Sequence, residues 1–166
     1  MPIVEIEQPE IIRMNAELRL RKYDGHAELA LAGYRDPVVY QNSEGIFDER
    51  KIPDLDYVTG MFRYLDGVGE VYFIEAFEEN TWIPVGDVTI KPQNPPLAIW
   101  FDRYRRKGIG TLVMKAVISR LKALGYEKIT GSTVYKWNEA SLKMHKNLGF
   151  VVVSEDDTEY TLDLKL

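Results

Sequence analysis

The chain has 166 residues, 45% hydrophobic and 28% charged, and carries a net charge of −5. That length and balance suit one domain able to bury a sizeable core, and the acidity argues against nucleic acid as the main partner, because phosphate backbones need a broad basic face. Cysteine is absent, which rules out disulfides, thiolate catalysis and cysteine-ligated zinc or iron–sulfur centres, and fits a reducing cytoplasm.

The opening MPIVEIEQPE is acidic and lacks the basic and apolar regions of a signal peptide. No apolar run reaches the ~18 residues that a membrane span requires. The expectation is a cytoplasmic protein with no membrane partner, residues 1–166 forming a single domain. ELRLRKY (17–23) alternates apolar and charged residues and reads as a strand. HAELALAGYRDPVV reads as a helix from about Gly25 to Tyr34, interrupted before Pro37, since proline disfavours helical backbone in the residue preceding it. Asp54 to Leu65, after Pro53, is a second helix, closed by the turn-like DGVG at 66–69.

From Glu70 the texture becomes β-rich: VYFIEAF (71–77), WIPVGDVTI (82–90) and LAIWF (97–101) are separated by Glu/Asn and Pro/Asn turns. Ile109, Leu112, Val113, Ala116, Val117, Leu121 and Leu124 form a helical stripe over 109–124. KITGSTVY (128–135) is a strand, Asn138 to Leu148 a short helix stopped at Gly149, and FVVVSE and YTLDLKL are two closing strands joined by EDDTE. The order predicts a mixed α/β sheet flanked by helices.

Within this acidic chain, Arg105, Arg106 and Lys107 stand together, followed by Gly108 and Gly110 at the mouth of a predicted helix. The first turn of a helix leaves N–H groups unpaired, its dipole adds positive potential, and glycine lets an anion approach the backbone. A phosphate or pyrophosphate fits such a cradle; the plainer alternative is a solvated basic run with glycines that only cap the helix. The Walker A string is absent, and Val113 stands where the dinucleotide fingerprint needs its third glycine.

A second segment, Asn138-x-x-Ser-x-x-Met-His-x-x-x-Gly-Phe150, follows the next strand. Together the two motifs resemble the GNAT superfamily of acyl-CoA-dependent N-acetyltransferases over roughly residues 70–166. The resemblance implies an α/β (α+β) fold with a mixed, mostly antiparallel central sheet flanked by helices. Arg105, Gly108 and Gly110 match the family's Arg/Gln-x-x-Gly-x-Gly/Ala signature, which receives the coenzyme A pyrophosphate; Arg106 and Lys107 flank it, and Ile109 and Thr111 complete the first turn. Ile99, Trp100 and Phe101 would offer backbone groups to the pantetheine arm, and Asn138 with Ser141 would line its far side. Acetyl-CoA would serve as acyl-donor co-substrate. The acceptor would be a small amine or a peptide N-terminus, and a homodimer accords with the family.

Acetyl transfer to an amine needs a base or water chain to free the nitrogen lone pair, donors for the developing oxyanion, and an acid for the departing thiolate. His145 stands where the family usually has the tyrosine that protonates that thiolate, and an imidazolium is chemically able to do so. The alternative is a packing histidine, with Tyr135 as the acid. Asp87, interrupting the apolar VGDVTI, is the candidate base, or else a structural acceptor of hydrogen bonds; Glu75 and Asp102 are the other carboxylates near the central strands. Trp100, Trp137, Tyr72 and Tyr104 are candidate walls of an acceptor pocket. His26 and His145 are isolated from each other, and no metal site is expected. The competing functions are a non-catalytic acyl-CoA-binding sensor, kept open by the substitution at 145, and a scaffold that uses the β-rich C-terminal half.

Overall fold

A computed structural model describes residues 6–166, so the segment MPIVE at the start of the opening read above for a leader lies outside the described residues. Strands β1 (Ile11–Arg13) and β2 (Leu18–Lys22) lead to a 3₁₀ turn and three helices, α1 (Leu31–Tyr34), α2 (Pro37–Glu44) and α3 (Leu55–Val68). Then come β3 (Glu70–Glu78), β4 (Thr81–Ile90), β5 (Leu97–Ile99), α4 (Ile109–Ala123), β6 (Lys128–Tyr135), α5 (Glu139–Asn147), β7 (Val151–Glu155) and β8 (Glu159–Lys165).

The period of two in β3 builds both cores. Tyr72 and Ile74 face one way, with Leu20, Val88 and Ile90 beside them, and meet the α4 stripe Ile109, Val113, Met114, Val117 and Leu121. Val71 and Phe73 face the other way and, with Ala98 and Trp100, meet Tyr34, Val58, Phe62 and Leu65. A strand buried on both faces reads as continuous apolar sequence, as VYFIEAF does. The result is a three-layer arrangement with α1–α3 on one face of the sheet and α4 on the other.

The strands fall into a five-stranded sheet ordered β1-β2-β3-β4-β5 and a three-stranded sheet ordered β6-β8-β7. Every ladder within them is antiparallel. The mixed, mostly antiparallel sheet flanked by helices is therefore the observed fold.

Some boundaries differ from the sequence reading. β1 carries too few residues to show a period. Pro37 begins α2 rather than ending the helical region. It occupies the first turn, where its missing N–H costs nothing, Asp36 Oδ1 accepts from Val38 N–H at 2.9 Å, and Gly45 (φ 66°) closes the helix in left-handed backbone. α3 runs through Asp66 and Gly67 to its cap at Gly69, because Leu65 continues the buried Val58–Phe62 stripe and Gly69 N–H still reaches Leu65 O at 3.0 Å. β5 stops at Ile99, two residues short of the predicted strand.

Candidate active site

β5 and β6 approach one another at one end. Gln93 bridges Thr130 in parallel sense, with Thr130 N–H donating to Pro92 O and Asn94 N–H to Thr130 O, both at 2.9 Å. Beyond that bridge the strands belong to separate sheets, and a cleft of about 430 Å³ opens there. Tyr34, Glu44, Met61 and Tyr64 line it from the α1–α3 side, and Met114, Ser141, Met144 and His145 from the α4–α5 side. The cleft thus passes through the layer of strands.

The first turn of α4, which follows the basic loop, packs beside the cleft: a Cβ at Gly110 would meet Met144 Sδ at 3.3 Å and Leu97 Cδ2 at 3.9 Å, both from residues that line it. After a 3₁₀ turn at Asp102–Tyr104, Arg106 (φ 60°) and Gly108 (φ 78°) both take left-handed backbone, and Gly108 caps α4 without any side-chain hydrogen bond. A Cβ built on Gly108 would meet nothing within 4 Å, so the space before the first-turn N–H groups of Ile109, Gly110 and Thr111 is open. Arg106 and Lys107 are exposed beside it. This geometry fits a pyrophosphate: unpaired donors, the positive end of a helix and adjacent cations.

Arg105 has a different place. Its side chain is 15% exposed, donates to Ile99 O (3.2 Å) and Trp100 O (2.8 Å), and pairs with Asp36 at 3.4 Å. It braces the chain where β5 ends. Trp100 N–H is also committed, to Val85 O at 2.9 Å. Backbone direction alternates along the strand, so the neighbouring Ile99 N–H turns away from β4, while Leu97 and Ala98 are the β5 residues that line the cleft. The Trp100 indole is fully buried, and a Cβ at Gly33 would come within 2.3 Å of its Cγ. Only a glycine lets α1 lie against it. Phe101 packs edge-on to Trp100.

Asn138 and Ser141 both line the cleft; Asn138 Oδ1 caps α5 by accepting from Ser141 N–H at 3.3 Å. His145 is 6% exposed, and its Nδ1 lies 2.7 Å from Ser141 O. A carbonyl can only accept, so Nδ1 carries the hydrogen and Nε2 is the lone-pair nitrogen. Burial, partly offset by that bond, lowers the pKa, leaving the ring neutral at pH 7. The general acid expected from the sequence needs a proton on Nε2, and in the neutral ring that nitrogen carries a lone pair. Ser132 Oγ, on β6 in the cleft wall, is buried without a partner among the described residues.

The carboxylates separate clearly. Asp87 is 1% exposed, and its Oδ2 accepts from both the Tyr34 hydroxyl and Trp100 Nε1, each at 2.8 Å. Burial, countered by those two bonds, raises its pKa to about 7. It lies behind Tyr34, which lines the cleft. Glu75 is held between Arg19 Nε and Arg21 Nε, both at 2.8 Å, and Asp102 is exposed and paired with Arg106. Of the proposed aromatic walls, Tyr72 donates to Pro9 O and Tyr104 packs in the core, so neither joins the cleft. Trp137 stacks on the cleft residue Tyr135 with centroids 4.6 Å apart.

Glu44 escaped the sequence reading because it ends a helix that Pro37 was taken to prevent. The signal was present: Asp-Pro at 36–37 and Gly45 mark a helix start and stop. A Cβ at Gly45 would approach Tyr135 Oη to 2.7 Å, and Trp137 Nε1 donates to Gln41 O at 3.0 Å, so the end of α2 is fixed against β6 and its neighbour Trp137.

The sequence profile of the Acetyltransferase (GNAT) family matches residues 39–150. The chain belongs to the GNAT acetyltransferase family. Among solved structures, a domain from Methanocaldococcus jannaschii is 20% identical with a TM-score of 0.78, covering 92% of this chain and 100% of that one. A GNAT-family acetyltransferase from Bacillus anthracis is 16% identical with a TM-score of 0.73, over 93% and 98%. The microcin C7 self-immunity acetyltransferase MccE, solved with acetyl-CoA and AMP, is 12% identical with a TM-score of 0.72, over 96% and 98%. No curated protein matches the chain by sequence. These structures share the fold described above. Among the described residues of this GNAT protein, no group of three or more His, Cys, Asp or Glu side chains is placed to hold a metal, and no helix is long and apolar enough to cross a membrane.

Proposed function

We propose that this GNAT protein is an N-acetyltransferase that moves an acetyl group from acetyl-CoA to a primary amine by direct transfer, with both substrates held in the cleft. The observation that carries this reading is a cleft lined from both the α1–α3 side and the α4–α5 side, with the first turn of α4 packed at Gly110 against its lining residues Met144 and Leu97. Acetyl-CoA supplies the activated acyl group. MccE, solved with acetyl-CoA, has the same fold. We place the reaction in the cytoplasm, as the cysteine-free sequence suggests, and take residues 1–166 as one catalytic domain.

In this scheme the N–H groups of Lys107 to Thr111 receive the pyrophosphate, Ile99 N–H and Ser132 Oγ donate into the cleft, and Asn138 and Ser141 bound its far side. His145 Nε2 takes a proton from the nitrogen as the new N–C bond forms and gives it to the departing sulfur. Asp87 positions Tyr34 and Trp100 from behind the cleft wall.

Titration calorimetry with coenzyme A and a thiol-release assay with acetyl-CoA test this reading. A Gly110→Val change adds branches where a single Cβ is already 3.3 Å from Met144 Sδ. The first turn of α4 must shift to relieve that crowding, so coenzyme A affinity should fall at least tenfold, about 1.4 kcal/mol, with some loss of stability in a variant that still folds. Unchanged affinity in the folded variant removes the cradle assignment. Binding without thiol release across an amine panel makes the protein a sensor instead.

A further inference from the structure

Acylating a protonated amine removes two protons from its nitrogen. One ends on the sulfur of the released thiol; the other must leave for solvent. A neutral His145 accounts for the first. The cleft wall offers one carboxylate for the second.

Glu44 is the sole acidic residue among those lining the cleft, and Lys91 the sole lysine or arginine. Neither forms an ion pair among the described residues. Tyr34, Met61, Tyr64, Leu65 and Tyr135 share the wall with Glu44, together with Asn42 and Ser43 of its own helix. The groups facing its carboxylate are Tyr34 of α1, Tyr57 of α3, Tyr135 of β6 and, behind Tyr34, Asp87 of β4. None brings positive charge. A lone carboxylate in such a wall is stabilised by a cation that arrives with the ligand, and aromatic faces add attraction for it.

We infer that Glu44 receives the acceptor, binding a protonated primary amine on an apolar stem and taking one proton from it. This rests on the acetyltransferase reading above. The step balances: an N–H bond of the ammonium breaks, an O–H bond forms on Glu44, the nitrogen keeps the electron pair, and Glu44 later returns its proton to water. Burial, partly offset by a hydrogen bond from the Tyr57 hydroxyl, raises the Glu44 pKa, which brings the carboxylate closer to the amine in proton affinity and makes it a stronger base. Lys91, beside Gly69 at the end of α3, opposes a second positive charge in the cleft, so monoamines are favoured over diamines.

The test compares wild type with Glu44→Gln and Glu44→Asp in thiol release at pH 7.5, using n-butylamine, tyramine, putrescine and 4-methylaniline as acceptors. The arylamine is already neutral at that pH, so it loses only the proton that His145 passes to sulfur and needs no second acceptor. Wild type should acetylate butylamine and tyramine better than putrescine. Glu44→Gln should lose about a hundredfold in kcat/KM on the two alkylamines and little on the arylamine. Glu44→Asp, which keeps the charge, should recover part of the loss. Coenzyme A affinity and melting should not move in either variant. Equal losses on both amine classes, no loss at all, or a wild type that binds acetyl-CoA yet acetylates neither alkylamine overturns the assignment to Glu44. A wild type that fails to bind acetyl-CoA overturns the acetyltransferase reading instead, so the two failures are distinct.

Discussion

Replacing Asp87 with Asn separates a structural carboxylate from a catalytic one. Both hydrogen bonds to the side chain, from Tyr34 and from Trp100, end on Oδ2. An Asn can turn its own carbonyl oxygen to that position and keep both. What it removes is the buried charge. The Asp87 pKa is raised from 3.8 to about 7, so the folded state holds its proton over a range in which the unfolded state has released it. Stability from this group is therefore greatest below pH ~4 and is lost as pH rises toward 7. At 1.36 kcal/mol per pH unit the loss across that window is about 4 kcal/mol. Asn carries no such dependence. Urea unfolding at half-unit steps from pH 4 to pH 8 should show Asp87→Asn gaining on wild type by up to that amount, with most of the gain complete by pH 7. Parallel pH curves would refute the buried-charge argument. Turnover under saturating substrates should stay within a few-fold of wild type, because the carboxylate lies behind Tyr34; a thousandfold loss in a folded variant would make Asp87 the catalytic base after all.

His145→Phe keeps a ring against Phe150, which lies edge-on at 4.8 Å, but removes the proton shuttle, so kcat should fall by about 10²–10⁴-fold. His145→Tyr should retain more activity than the Phe variant. Since burial lowers the His145 pKa, its contribution to the acid limb of the wild-type kcat/KM profile should lie below pH ~6.5, and the Phe variant should lose that contribution and keep the one from Glu44; an unchanged profile removes His145 from the mechanism. Gly33→Ala places a methyl group 2.3 Å from Trp100 Cγ, and the overpacking should cost about 1–3 kcal/mol by urea unfolding. A melting temperature equal to that of wild type would show that α1 moves freely away from Trp100.

Most strands and the α4 helix were legible because period and burial coincide there. VYFIEAF is apolar on both faces, and the Ile109–Leu121 stripe has one wet side, so local sequence carries the pattern that packing later uses. The two motifs, at 105–110 and 138–150, marked the glycine-capped start of α4 and the Asn138-capped helix that carries His145 for a related reason: glycines and a capping Asn act through backbone geometry within a few residues. The α2 helix was hidden by a proline rule that holds inside a helix and not at its first turn.

The sequence by itself determined the order of elements, the absence of cysteine chemistry and the loop whose backbone can hold an anion, since each depends on composition or on neighbours a few residues apart. Only the tertiary structure decided the roles of the carboxylates. Asp87, Glu75 and Glu44 are all carboxylates in the sequence, but one is buried against Tyr34 and Trp100, one is clamped between two arginines, and one lines the cleft. A carboxylate's proton affinity and reach depend on burial and on partners brought from distant segments, as Tyr34 and Trp100 are brought to Asp87. Those contacts do not exist until the sheets and helices have packed.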